Sequence, residues 1–399
     1  MLKGGFKMVY LDNAATTAVR PEVLEVIHDS LMNDFGNPSS TYRIGKKVKH
    51  AMIQARKQLA ELLNVDESEV YFTSGATEAN NWAIRSQAEK SKELGQGNHI
   101  VTTAIEHPSV TNVTKYLETQ GFEVTYIQPN EKGEITVQQF LDVTTDQTIG
   151  WIAMAVNNEV GSILPIFELG EEANERNLWF HVDSVQAVGP MAYDYSQLKC
   201  TTFVGSAHKF NGPKGIGFLI YRSFQEHNHL GPLLYGGGQE NKMRSGTENV
   251  PYILGMVKAL ELTFAEQEES YSKYEKLHHY LLDALNELDI EFEINGDMNN
   301  RVPYINNLWF NGNIASQMLI KMDLDDVYIS AGSACSAGSL TESDILKAYY
   351  PDQPERWSQS LRISFGYQTT REDIDQFIQS LKKISEGKID LWHSKKLQN

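Results

Sequence analysis

Seven short β-rich runs separated by helical or loop segments constrain this chain more than any other feature. They are "VYFTS", "HIVTTAI", "FEVTYI", "IGWIAMAV", "WFHVDSV", "TTFVGSA" and "GIGFLIY", all between residues 70 and 221. Helical patterns precede and separate them. In "RPEVLEVIHDSL", Pro21 suits a first turn and Val23, Ile27 and Leu31 share a face. Ile44, Val48, Ala51, Ala55, Leu59 and Leu62 make a second stripe. Such alternation predicts an α/β fold: a large domain over residues 21–262 with a mainly parallel seven-stranded sheet covered by helices on both faces. After Leu262 the pattern changes. Tyr274, Leu277, Leu281, Leu285 and Leu288 line a long amphipathic helix, and short strands follow in "EFEIN" and "YINNLWF". These predict a smaller α+β domain over 263–399, to which residues 1–20 return.

Composition narrows the function classes. A formal net charge of −17 repels phosphate backbones and argues against direct nucleic-acid binding. Two cysteines among 399 residues cannot build a disulfide framework and point to free thiols in a reducing, cytoplasmic compartment. No apolar run is long enough for a bilayer span, and "MLKGGFK" lacks the apolar core of a secretion signal.

In an open α/β sheet the carboxyl ends of the strands form the ligand crevice. Several candidate residues fall at such ends. Lys209, in "SAHKFNGPKGIGF", follows a strand; it reads either as a solvated surface lysine or as a desolvated amine that condenses with an aldehyde. Asp183, in "WFHVDSVQA", ends an apolar strand and needs a partner: a helix cap, a salt bridge, or a protonated ring nitrogen. His181 lies on the same face, but no further ligand cluster accompanies it, so metal binding is the weaker reading. In "YFTSGATEANNWAI", Gly75, Ala76 and Thr77 would present backbone N–H groups to an anion, unless they serve only to cap the helix. His107 in "AIEHPSV", Asn157 in "VNNEVG", Gln186 and Ser206 are further strand-end candidates. Arg362, in "SLRISFG", wants an acidic partner, either an internal carboxylate or that of a substrate.

Cys335 occupies "SAGSACSAGS", ten residues made only of Ser, Ala, Gly and itself. No bulky apolar neighbour in sequence buries it, and no Lys, Arg or His lies within five residues to activate it. Cys200, in "SQLKCTTF", reads instead as a small buried hydrophobe.

Taken together, "YLDNAATT", "FGNPSS", "FTSGATEANN", "EHPSV", "VNNEVG", "HVDSVQ", "SAHKFNGPKGIG", "GGGQENKMRSGTEN", "SAGSACSAGS" and "LRISFG" resemble, in order, the motifs of the cysteine desulfurases. These are class V, fold-type I pyridoxal-phosphate enzymes, and the likeness runs from about Tyr10 to Gly366. The resemblance implies that Lys209 holds pyridoxal 5′-phosphate covalently, that Asp183 pairs with its ring nitrogen and that His107 stacks on the ring. It implies that Asn157 and Gln186 contact the ring's phenolic side. Ala76, Thr77, Ser206 and His208 would bind the phosphate, with Thr247 reaching it from a partner subunit. Arg362 and Asn37 would hold the substrate carboxylate. Cys335 would be the nucleophile that removes sulfur from L-cysteine as a persulfide and leaves L-alanine.

The long stretch between Cys335 and Arg362 resembles the subgroup with an extended cysteine loop. The family implies a homodimer that passes sulfur to an acceptor protein: a tRNA-thiolation enzyme, a thiamin-pathway carrier or an iron–sulfur scaffold. Two rivals are selenocysteine lyase or another class V pyridoxal-phosphate activity, and a scaffold protein that carries sulfur without a chromophore.

Overall fold

The computed structural model describes residues 8–222, 229–288, 290–332 and 342–396. A short strand β1 (Val9–Tyr10) opens the chain and is followed by helices α1 (Pro21–Asn33) and α2 (Arg43–Leu63). The seven β-rich runs then form β2 (Val70–Thr73), β3 (His99–Thr103), β4 (Glu123–Ile127), β5 (Thr148–Met154), β6 (Trp179–Asp183), β7 (Thr202–Ser206) and β8 (Gly217–Tyr221). They build one sheet in the order β2-β8-β7-β6-β5-β3-β4. Pairings from β4 through β7 are parallel, whereas β8 runs antiparallel to both β7 and β2.

This topology positions the site. Two antiparallel steps restore direction, so β2 points the same way as β7. The carboxyl ends of β2, β3, β5, β6 and β7 therefore open on one edge. Strand β5 is buried along its whole length, as expected for an apolar run paired on both sides. Helices α3 (Ala76–Glu93) and α4 (Pro108–Thr119) start at that edge, immediately after β2 and β3.

The remaining strands lie in two small sheets. Strands β9 (Glu293–Ile294), β10 (Ile305–Trp309) and β12 (Ser360–Ser364) form an antiparallel sheet in the order β12-β10-β9. Strand β1 pairs in parallel with β11 (Val327–Tyr328), and Asp12 bridges to Ser364. The amphipathic helix spans Gln267–Asn286 and buries Tyr274, Leu277, Leu281 and Leu285, while Leu288 falls beyond its end.

Two helical stripes differ from the sequence expectation. Helix α1 buries Val23, Ile27 and Ser30, leaving Leu31 exposed. Its packing against the helix Val250–Ala265 runs through Val23 and Ile27, which lie against Gly255. Helix α2 buries Gly45, Val48, Met52, Ala55, Leu59 and Leu63. Met52 and Leu63 thus replace Ala51 and Leu62, and Ile44 is exposed. Apolar residues one position apart compete for one face, and the turn-by-turn drift of a 3.6-residue period decides between them.

Candidate active site

The strand ends converge on a cavity of about 500 Å³. Among its lining residues are Ala76, Thr77, His107, Asp183, Gln186, Ser206, His208, Lys209 and Arg362, drawn from five separate stretches of sequence. Lys209 ends a single 3-10 turn, Ala207–Lys209, immediately after β7. Its Nζ donates to the backbone oxygens of Ala14 and Ala15, the latter at 3.0 Å. Gln186 Nε2 donates to the same Ala14 oxygen at 3.0 Å. The amine is thus placed at the cavity wall by a loop from the N-terminal segment.

The anion end is built by α3. Its N-cap, Gly75, has φ +151°, a conformation that side chains rarely adopt, and makes no side-chain cap. The N–H groups of the first turn are therefore not consumed by a capping side chain, and the positive end of an 18-residue helix faces the cavity. Ser206 Oγ lies 3.7 Å from where a Cβ on Gly75 would sit, so hydroxyl and helix terminus share one cradle. His208 Nδ1 meets Thr16 Oγ1 at 3.1 Å. Burial, with the nearby charges of Lys209 and Lys214, pushes the His208 imidazole down to about 4, so it is neutral at physiological pH. Arg244, three residues before Thr247, pairs with Glu78 of the α3 first turn at 2.8 Å.

Asp183 is buried at the end of β6. Its Oδ1 accepts from the Val185 N–H at 3.1 Å and its Oδ2 from Asn80 Nδ2 at 2.9 Å. His107 caps α4: its Nδ1 accepts from the Ser109 N–H at 3.1 Å and lies 2.8 Å from Ser109 Oγ. A backbone N–H can only donate, so Nδ1 is the unprotonated nitrogen and the neutral ring carries its hydrogen on Nε2. Arg362 is 1% exposed on β12. Its Nη2 pairs with Asp12 at 2.7 Å and its Nη1 donates to the Asn158 oxygen at 2.9 Å. The backbones of Arg362 and Ser330 exchange two hydrogen bonds, at 2.6 and 3.2 Å. Gly332, where this described segment ends, lies against the Glu159 carboxylate and Ser343.

Other expected residues are placed differently. The Asn157 amide is wholly buried: Nδ2 donates to the Ile105 oxygen at 2.9 Å, and Oδ1 accepts the Glu159 and Val160 N–H groups at 2.9 Å. It shapes the loop after β5, and its neighbour Asn158 lines the cavity. Asn37 is exposed and accepts the Ser39 N–H at 2.8 Å, as a turn asparagine does. Thr247 is exposed and is not among the cavity-lining residues of its own chain. Cys335 lies outside the described residues. Cys200 is buried, and burial pushes its thiol up to about 12, which removes it as a nucleophile. Both ring nitrogens of His181 are engaged, with Thr202 Oγ1 at 2.8 Å and Asn80 Oδ1 at 2.9 Å.

Sequence reasoning missed Asp12, Ala14, Ala15, Asn80 and Glu106. The first three lie in "YLDNAATT": Ala14 and Ala15 act through backbone carbonyls, which leave no side-chain signature, whereas Asp12 acts through its carboxylate on Arg362. Glu106 adjoins His107 and is buried, with Oε1 accepting from Thr103 Oγ1 at 2.6 Å and the Met154 N–H at 2.9 Å. Burial raises its carboxyl to about 8.

The class-V aminotransferase family model matches residues 9–377. A putative cysteine desulfurase, IscS 1, of Bacillus subtilis (strain 168) is 40% identical over 366 residues, 92% of this chain and 95% of that protein. A cysteine desulfurase, IscS, of Methanosarcina thermophila is 41% identical over 378 residues, covering 95% and 92%.

The chain belongs to the cysteine desulfurases.

Solved structures of this kind superpose along most of the desulfurase chain. A NifS-like protein matches with a TM-score of 0.88 at 31% identity, covering 95% of this chain and all of that one. SspA in complex with cysteine matches with a TM-score of 0.76 at 33% identity, covering 89% and 98%. The fold is thus that of the fold-type I enzymes. The cavity's chemistry suits the family's cofactor, pyridoxal 5′-phosphate. An amine at the wall, a helix terminus for a phosphate and a buried carboxylate for a ring cation are donors and acceptors of the right kinds.

Proposed function

We propose that this desulfurase takes sulfur from L-cysteine, leaves L-alanine and a persulfide on Cys335, and hands that sulfur to an acceptor protein. The observation that carries this reading is the convergence of Lys209, Asp183, His107 and the α3 terminus on one cavity, with Arg362 on its wall. In that cavity Ala76, Thr77, Ser206 and His208 would hold the phosphate of pyridoxal 5′-phosphate, Asp183 its ring nitrogen and Gln186 the ring's oxygen side, with Asn157 acting from behind by shaping the loop that carries Asn158. Bound there, the cofactor supplies an electron sink for the substrate's α-carbon.

The chain's own residues do the rest. Arg362 orients the substrate carboxylate with its fixed fork of donors. Lys209 Nζ, held at the cavity wall, would take up the α-proton of the bound substrate. His107 moves a proton at Nε2. The Cys335 thiolate attacks the substrate sulfur: an S–S bond forms, the Cβ–S bond breaks, and Cβ gains a proton on the way to L-alanine.

The same reading extends to assembly. The protein works as a homodimer in the cytoplasm, with Thr247 completing the phosphate site of a second copy; its exposure outside its own cavity supports this. Residues 21–262 act as the cofactor-binding domain, and residues 1–20 and 263–399 as the small domain that carries the extended cysteine loop. The acceptor is a tRNA-thiolation enzyme, a thiamin-pathway carrier or an iron–sulfur scaffold.

Two variants test the assignment. Lys209→Ala should lose the covalently held chromophore and all turnover. Cys335→Ser should keep the yellow cofactor while mass spectrometry after incubation with L-cysteine detects no persulfide. Alanine production at the wild-type rate by Cys335→Ser would remove Cys335 from the mechanism.

A further inference from the structure

Beneath the cavity, polar side chains on four elements join in one continuous chain. Thr202 on β7 meets His181 on β6, and His181 meets Asn80 on α3. Asn80 Nδ2 reaches both Asp183 Oδ2 and Ser109 Oγ, each at 2.9 Å, and Ser109 Oγ meets His107 Nδ1. Asn80 is fully buried, so bulk water does not serve these bonds.

We propose that Asn80 is a positioning residue whose amide sets the direction of this relay, fixing the Asp183 carboxylate at one branch and the His107 ring at the other. The chemistry of the end groups leaves one arrangement. An ionised carboxylate only accepts, so the Asn80 atom facing Asp183 is the amide nitrogen. Its second hydrogen then goes to Ser109 Oγ. With its oxygen occupied as an acceptor, the Ser109 hydroxyl gives its hydrogen to His107 Nδ1, beside the Ser109 N–H. On the other side, the Asn80 carbonyl accepts from His181 Nε2–H, and His181 Nδ1 accepts from the Thr202 hydroxyl. Burial pushes the His181 imidazole down to about 3, in keeping with a neutral ring that donates at one nitrogen and accepts at the other. One amide thus holds the two side chains assigned to opposite tasks at the cofactor. Losing it leaves the Ser109 hydroxyl to turn and Asp183 to rely on the Val185 N–H.

The consequence for catalysis rests on the roles given above to Asp183 and His107; the geometry of the relay does not. The test therefore reads the protein itself. In full-length holoenzyme carrying ¹⁵N-histidine, with His107 identified by its loss in His107→Gln, both His107 and the non-titrating His181 should show hydrogen on Nε2. Asn80→Ala and Ser109→Ala should each move His107 Nδ1 downfield, as an acceptor nitrogen losing a donor does. The second substitution should add nothing to the first. Cofactor affinity should fall roughly 10-fold in Asn80→Ala and less than about 2-fold in Ser109→Ala, because only Asn80 touches Asp183.

A wild-type spectrum with His181 protonated on Nδ1 overturns the direction, and it needs no variant to fold. An unmoved His107 in Ser109→Ala, or equal loss of cofactor affinity in both variants, overturns the coupling. If Lys209→Ala kept its chromophore, the functional reading would fail while these spectra still decided the relay.

Discussion

Glu106 sits one residue before His107, buried against β5, with a carboxyl raised to about 8 by desolvation. Its folded value exceeds the unfolded one, so the folded state holds a proton that the unfolded state releases above the ordinary carboxyl range. The stabilisation is complete below about pH 4.5 and is lost as pH rises toward 8, by at most about 1.4 kcal/mol per pH unit. Glu106→Gln keeps the acceptor for Thr103 and Met154 without the titration. It should melt near the wild-type temperature at pH 5 and above it at pH 9, measured by calorimetry. Arg362 carries a second prediction. It is already paired with Asp12, so Arg362→Lys loses the fork geometry toward both the internal and the substrate carboxylate. KM for L-cysteine should rise about 10- to 100-fold, the worth of one or two charge-assisted bonds. At this scale the chemistry-bearing side chains at strand ends were legible in the sequence. Asn157 and Asn37 show the limit: an amide that serves a turn and one that serves a ligand look identical until their partners are known.

The elements do what their patterning asks, and the seven runs became seven strands because each is short, apolar and bounded by turn chemistry. Their order across the sheet, with β8 inserted between β7 and β2, was not legible, because pairing between distant segments leaves no local pattern in either run. The start of α3 offers a direct test. Gly75 at φ +151° occupies a region costly for any residue with a Cβ. Gly75→Ala should cost about 1–3 kcal/mol of stability and should lower cofactor affinity in a dialysis assay, since relief of strain would turn the first-turn N–H groups away. Its helix contacts elsewhere should be unchanged, visible as an unaltered far-ultraviolet dichroism spectrum.

As a whole molecule the desulfurase carries a formal charge of −17, which acts at distances longer than any single contact. Sulfur transfer to a basic acceptor should slow as salt is raised from about 50 to 300 mM, because screening removes long-range attraction. A neutral acceptor should show little change. The polypeptide's path has a further effect at this scale. The loop carrying Ala14 and Ala15 is threaded between β1, held by β11, and α1, and its carbonyls grip both Lys209 and Gln186. A protease cutting just before Pro21 would spare every strand of the large sheet and still disarm the enzyme. Nicking there should therefore abolish turnover well before it unravels the scaffold, and an affinity tag is better fused to the tail than spliced into the opening residues.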